Sequence, residues 1–357
     1  MKIFWFLGVF GLLLLSNACI EEIPVQPGSP VEKLVVSGIL NNVKENQIIK
    51  LQMTTGYGQP PYNIENAEVI LYENKINKYS YVEQNQGKYV LESDKFTAKI
   101  GAEYYITISL PNGKKYQSLP EIMLESIAPD SLSWDITTKN EIILEGYPRE
   151  YKATSVFLHT SLPNNDPDIC LRWISAGAFQ FTTLPECNPF RSTNTCYFSN
   201  ELQPGDPMIY SNEELRQNRL NRFEIAFETM EPDYKFMEIH YFIVNQYRIS
   251  KKAYTYFKDL KSVSSLNGSI FDAVPASVKG NVYNAGDKNE YALGYFQVSA
   301  VVPIRLKLVA SDFAGKYALL SKTGNLCAWL YGNSQTYFQA CCDCSLPDPI
   351  ISKPDWW

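Results

Sequence analysis

The sequence predicts a mainly β protein. An Ig-like antiparallel β-sandwich comes first, and a larger β-rich domain with one or two helices follows. Three observations carry this reading. Aromatics make up 13% of the 357 residues, with 24 tyrosines and 18 phenylalanines, and flat rings pack well on pleated, half-buried surfaces. Short segments alternate apolar and polar residues with the period of two that a half-buried strand shows. Only one stretch, Ile249 to Lys261, has apolar residues at helical spacing.

The chain opens on Lys2, an apolar run from Ile3 to Leu15, and Ser16-Asn17-Ala18-Cys19. A charge, a short apolar segment and small residues before a break are the parts of an export signal. The run is shorter than the roughly 20 residues a membrane span needs. The cysteine after Ala18 makes this a bacterial lipoprotein signal, cut before Cys19 so that the thiol can be acylated. A plain signal peptide or an uncleaved anchor is the alternative. Pro24, Pro27 and Pro30 then form an extended spacer.

Strands follow. Leu34 to Leu40 is β-branched and ends at Asn41-Asn42; Gln47 to Thr55 alternates Ile49, Leu51 and Met53 with polar partners. Gly56 to Pro61 is a loop. Ala67 to Tyr72, Gly87 to Leu91 and Ala102 to Leu110 are further strands, the last turning at Pro111-Asn112-Gly113 into a return through Tyr116. Ser118 to Asp130, with Pro120 and Pro129, marks a boundary. The expected division is therefore 1–18 signal peptide, 19–31 lipidated cysteine and linker, 32–125 sandwich, and 126–357 β-rich domain with a cysteine-rich tail.

The first strands carry a resemblance. Ala67, Val69 and Leu71, then Gly87 and Tyr89, Gly101, Tyr105 and Ile108, and Asn112, Gly113 and Tyr116 resemble the transthyretin-like, carboxypeptidase-regulatory-like sandwich. That resemblance implies a module that binds or supports rather than catalyses.

In the second domain Glu141–Leu144, Ala153–Thr160, Cys170–Ile174, Arg222–Thr229 and Tyr234–Val244 read as extended. Thr183 to Met208 reads as a loop dense in Pro, Asn, Ser and Gly. Ile249 to Lys261 reads as a helix capped by Ser250, with Ala253, Tyr254, Phe257 and Leu260 on one face. Phe271 to Asn281 reads as loop, and Leu293 to Leu308 as one or two strands.

A fuller resemblance covers nearly the whole mature chain. It rests on Val36-Ser37-Gly38, Tyr254 and Tyr256, Gly280-Asn281-Val282, Gly294-Tyr295-Phe296, Cys341-Cys342-Asp343-Cys344 and the terminal Lys353-Pro354-Asp355-Trp356-Trp357. Together with the lipobox these resemble a Bacteroidota family of outer-membrane lipoproteins classed as a domain of unknown function. The resemblance implies a lipid anchor in the outer membrane and a TonB-dependent receptor β-barrel as partner in nutrient uptake. It brings no catalytic residues and no ligand. Ile20-Glu21-Glu22 resembles the acidic signal that sends such lipoproteins to the cell surface. Asp130-Ser131-Leu132 matches a Bacteroidota O-glycan pattern, making Ser131 a candidate attachment site. Asn267-Gly268-Ser269 is an N-glycosylation sequon without meaning in that context.

The net charge of −6 and the lack of a Lys/Arg cluster argue against nucleic acid. An exported chain favours disulfides. Beyond Cys19 the candidates are Cys170, Cys187, Cys196, Cys327, Cys341, Cys342 and Cys344. Seven is odd, so one thiol stays free. Cys187 and Cys196, flanking a short polar loop, are the first expected pair, and the terminal triplet would pair with Cys327 and Cys170. A zinc site at Cys327, Cys341, Cys342 and Cys344 fits poorly, because adjacent cysteines do not form the usual knuckle. His159 and His240 are the only histidines and belong to no metalloprotease motif; both read as half-buried strand residues. No nucleophile elbow or phosphate loop is present. The expectation is a non-catalytic protein without cofactor or metal; a hydrolase on polymeric substrates and a structural envelope component are the alternatives.

Overall fold

A computed structural model describes residues 32–56, 59–142, 147–164, 166, 168–183, 194–203, 205–215, 218–231, 233–264, 278–287, 289–319, 344, 349–350 and 353–357. Cys19, the linker prolines, Cys187, Asn267, Cys327, Cys341 and Cys342 lie outside the described residues. Among the described residues no helix is long and apolar enough to cross a membrane.

Ten strands come first: β1 (Leu34–Leu40), β2 (Gln47–Met53), β3 (Tyr62–Asn63), β4 (Glu68–Glu73), β5 (Asn77–Ser80), β6 (Val82–Asn85), β7 (Lys88–Leu91), β8 (Glu103–Ser109), β9 (Lys115–Ser118) and β10 (Glu121–Ile122). The second unit runs β11 (Ser131–Ile142), β12 (Pro148–Ser161), β13 (Cys170–Thr182), β14 (Thr195–Leu202), β15 (Met208–Ser211), the single turn α1 (Asn212–Leu215), β16 (Arg219–Thr229), β17 (Ile239–Ile249) and the helix α2 (Lys251–Ser264). Then come β18 (Val282–Asn284), β19 (Leu293–Val298), β20 (Val301–Val309) and β21 (Pro349–Ile350).

The period-two patterns do what they predict. Leu34, Val36 and Leu40 of β1 turn inward with Ile49, Leu51 and Met53 of β2, against Val69 and Leu71 of β4 and Tyr104, Ile106 and Ile108 of β8. The sandwich sheets are ordered β19-β1-β2-β7-β6 and β18-β9-β8-β4-β5. Each therefore contains a strand that the sequence assigned to the second domain. The boundary expected at residue 125 is not where the sandwich ends, because residues 282–298 return to complete it. Periodicity marks a strand but does not name its partner, and this partner lies more than 240 residues away.

β19 enters beside β1 in parallel, with Val36 facing Gly294. Gly294 has φ +82, and a Cβ there would stand 2.1 Å from the Val36 carbonyl oxygen. Only glycine fits this approach.

In the second unit, β11-β12-β16 form one sheet and β20-β17-β13-β14-β21 the other, with β15 also on β13. Leu158, Trp173, Ile225, Phe236, Phe242 and Phe313 fill the space between them. Thr183 to Met208, expected as loop, contains β14, antiparallel to Ser175–Thr182. Cys196, Phe198 and Leu202 of β14 are buried. The surrounding Pro, Asn and Ser residues hide this alternation in the sequence.

The cysteine expectation also changes. Cys196 bonds to Cys344, not to Cys187, with Cα atoms 5.6 Å apart. The reason is the tail: β21 pairs with β14, so the returning chain lies alongside Cys196. Cys344 is thus unavailable for a thiolate metal site. Cys170 is a buried free thiol rather than a partner of the tail, and burial pushes its pKa up to about 11. The terminal Trp357 donates its indole N–H to Gln180 at 3.0 Å and packs edge-on to Tyr197 and Tyr241.

The two units meet at α2. Ser250 caps it, its Oγ accepting the Ala253 N–H at 3.1 Å. Tyr256 and Phe257 pack on Tyr295 of β19 with ring centroids 4.9 and 5.9 Å apart. Beside them Glu121 of β10 is 5% exposed. Its Oε1 accepts from the Tyr295 and Ser250 hydroxyls, and its Oε2 has no partner. Burial pushes the Glu121 pKa up, against the hydrogen bonds that lower it.

Two outcomes follow from this arrangement. Gly294→Ala is expected to lose about 2 kcal/mol or more of stability in urea unfolding, since a left-handed backbone and a clash coincide. Glu121 binds its proton more tightly folded than unfolded, so its penalty is absent below the ordinary carboxylate range and grows as pH rises through it. The melting temperature of Glu121→Gln relative to wild type is therefore expected to climb between pH 4 and pH 7.5; a constant difference would contradict the assignment.

Candidate functional site

The largest of the described cavities, about 400 Å3, opens between the two sheets of the second unit. β11 and β12 supply Glu141, Arg149 and Tyr151, β14 supplies Glu201, and β16 supplies Glu228. Lys235 enters from a 3-10 turn, Asp233–Phe236.

Glu228 is the unusual member. It is 3% exposed, and Lys235 Nζ donates to its Oε1 at 2.6 Å. His240 Nε2 of β17 lies 3.2 Å from Oε2. Burial raises the Glu228 pKa, but His240 and Lys235 outweigh it and hold the carboxyl below the usual carboxylate range. The imidazole is fixed between Phe236 and Phe242, with centroids 4.5 and 4.8 Å away. His240, expected to be half-buried, is in fact fully buried.

Gly177 of β13 makes the room. A Cβ there would stand 2.2 Å from Glu228 Oε2. An isolated glycine inside a strand marks such a close approach. Together with a histidine in the apolar strand Met237–Val244, it was the one available sequence signal for this site. Glu228 itself reads as an ordinary polar strand residue.

The cavity wall is polar and acidic. Arg149 pairs with Glu231 at 2.7 Å and Glu141 at 3.7 Å. Among the described residues, no cation lies within ion-pair distance of Glu201. Glu141, Glu201, Glu228 and Glu231 thus outnumber Arg149 and Lys235. Such a wall accepts hydrogen bonds from, and favours, polar or cationic groups. An ionised Glu228 is a poor proton donor.

Ser131 is exposed at the start of β11 beside His159. His159 belongs to a hydrogen-bonded row that the sequence did not suggest. Ser133 Oγ lies 2.8 Å from its Nε2, and Asn221 Oδ1 lies 2.9 Å from its Nδ1. A β-bulge falls at His159, and the next residue after Asn221, Arg222, has φ +55. Ser133 and Glu141 are eight residues apart on β11, so this row stands about 26 Å from the cavity at strand rise.

Removing the Glu228 charge strands Lys235 and His240. Glu228→Gln is expected to cost about 3–5 kcal/mol at pH 7. Because the folded pKa is depressed, this contribution is present above the ordinary carboxylate range and is lost as pH falls through the folded value. Wild type and variant should converge in thermal melts as pH drops toward 3, and parallel curves would contradict the pairing.

No curated protein matches the chain. Among solved structures, one described as "Biofilm associated protein - BSP domain" is similar at 5% identity, covering 76% of this chain and 58% of that one with a TM-score of 0.12. That likeness carries no argument about fold. The sequence profile of a family described as "Domain of unknown function (DUF4249)" matches residues 20–305, and the chain belongs to that family.

Proposed function

We propose that the chain is a non-catalytic accessory of the outer-membrane surface, tethered through an acylated Cys19, that presents a ligand-binding second unit beside a TonB-dependent receptor. One observation carries the reading. The chain enters the sandwich at one end, where Lys33 N donates to Thr54 Oγ1 and the Tyr62 hydroxyl faces Glu32. The second unit is joined at the other end, through Leu40, Asn42 and Glu121. The seven residues of β1 separate these ends by about 20 Å. A tether at residues 19–31 would thus hold the second unit away from the lipid, with the sandwich as spacer.

The non-catalytic part is supported by the buried carboxyls. Glu228 is held below the usual carboxylate range by Lys235 and His240, and Glu121 is locked against Tyr295 and Ser250. Glu228 lines the larger cavity, but its oxygens are already taken up by Lys235 and His240, which leaves it a poor proton donor.

Two measurements test this. Cys19→Ala should abolish palmitate labelling and membrane retention. The full-length chain, captured from detergent-solubilised outer membrane, should bring a β-barrel receptor with it; capture of the chain alone would count against the partner.

A second reading, a surface hydrolase, draws on the Ser133–His159–Asn221 row. It requires Ser133 to react with a fluorophosphonate probe and His159→Ala to abolish that reaction. An unreactive Ser133 leaves the accessory reading standing.

A further inference from the structure

A second cavity, of about 230 Å3, lies against α2. Its origin is a gap in the sheet. β14 runs beside β13 as far as Leu202, opposite Ser175. β15 resumes at Met208, opposite Trp173. Between them the chain swings out through Gln203 and Gly205, both in left-handed conformation at φ +48 and +83. The opening has Arg172 and Ile174 of β13 on one side, Leu260 of α2 on another and Glu201 at its rim.

Arg172 has no carboxylate in direct contact, and Glu201 acts on it only from beyond ion-pair distance. Its Nη1 donates to Gln297 Oε1 at 2.6 Å, and the guanidinium lies 3.8 Å above the Phe257 ring. Its Nε is shut off from solvent and has no acceptor. Among the described residues no carboxylate lies within ion-pair distance of it. Burial pulls its pKa down only to about 10, so it remains charged near neutrality. A half-buried guanidinium without a contacting anion favours one, since charge-assisted hydrogen bonds to carboxylate are strong.

The same cavity carries the opposite need. Asp206 is occupied by Lys261 at 3.1 Å. Glu201 is exposed, and among the described residues no cation pairs with it. A cation and an anion that act on each other without forming a direct ion pair thus line a space about 8 Å across if spherical, smaller than the usual drug-sized pocket.

We propose that this cavity binds a small zwitterion, an α-amino acid or dipeptide, with its carboxylate on Arg172 and its ammonium on Glu201. Phosphate and other simple anions would satisfy Arg172 but be repelled by Glu201 and Asp206. Sugars would satisfy neither charge. The proposal goes beyond the accessory reading and does not depend on a receptor partner: binding here and capture of a β-barrel succeed or fail separately.

Isothermal titration calorimetry on the full chain in detergent tests it. The probes are alanine, alanyl-alanine, N-acetylalanine, alaninamide and inorganic phosphate. Alanine or alanyl-alanine is expected to bind saturably, and each blocked analogue at least tenfold more weakly. Arg172→Gln should abolish binding of the zwitterion. Should that variant fail to fold, Glu201→Gln, on an exposed position, keeps the test open: it should weaken the zwitterion at least tenfold and bind N-acetylalanine no more weakly than wild type does. No saturable binding of either zwitterion up to 10 mM would overturn the proposal. Equal binding by wild type and Glu201→Gln, or preference for phosphate, would do the same.

Discussion

The parallel pairing of β1 with β19 is the constraint on which the rest of the molecule depends. Every other pairing described in the sandwich is antiparallel, and all but that of β18 with β9 are local enough to be reached by hairpins or short connections. The β1–β19 pairing joins residues 35–40 to residues 293–298 and encloses strands β11 to β17 and helix α2 of the second unit in the intervening chain. Closing so long a loop is entropically unfavourable, although the cost grows only slowly with length. The gain is that the second unit cannot leave the sandwich without breaking its sheet. Gly294 makes the pairing sterically possible, and Ser299-Ala300 lead directly on into β20. The strand that completes the sandwich therefore continues into the second unit.

Buried charge is handled in three different ways around that junction. Glu228 is compensated by Lys235 and His240, and stays ionised. Glu121 has the Tyr295 and Ser250 hydroxyls on one oxygen, and burial raises its pKa despite the hydrogen bonds that oppose it. Arg172 cannot take the neutral route, because guanidinium gives up its proton only far above physiological pH. Its partners are an amide and an aromatic face. The first two sites are satisfied within the fold. The third has no carboxylate in contact, and Glu201 opposes its charge only from farther off.

Strand existence was largely legible in the sequence, because β1, β2, β4 and β8 each bury alternate residues of one face. The helix was legible for the same reason at its own period, with Ser250 as cap. Long-range facts were not. Nothing in Leu293–Val298 distinguishes a strand of the second unit from one that returns to β1. Cys196 was assigned to its near neighbour because proximity in sequence was the only guide, whereas the tail strand decides its partner. β14 was concealed by the polar residues around it. Of the cavities, only Gly177 and His240 left a trace. Glu228, Arg172 and Glu201 acquire their character from neighbours 7 to 125 residues away, which no local pattern records.

In the proposed reading the sandwich is a spacer and the second unit a ligand-binding head. The sandwich takes the chain in at one end and carries the second unit, with both polar cavities, at the other. Energy transfer to lipid tests this most directly. The full chain, with the acyl anchor proposed at Cys19 and placed in vesicles with an acceptor-labelled lipid, would carry a donor either at Asn112, near the entry end, or at Ala314 in the second unit. The account predicts strong transfer from Asn112 and much weaker transfer from Ala314. Equal transfer from both, or stronger transfer from Ala314, would contradict it.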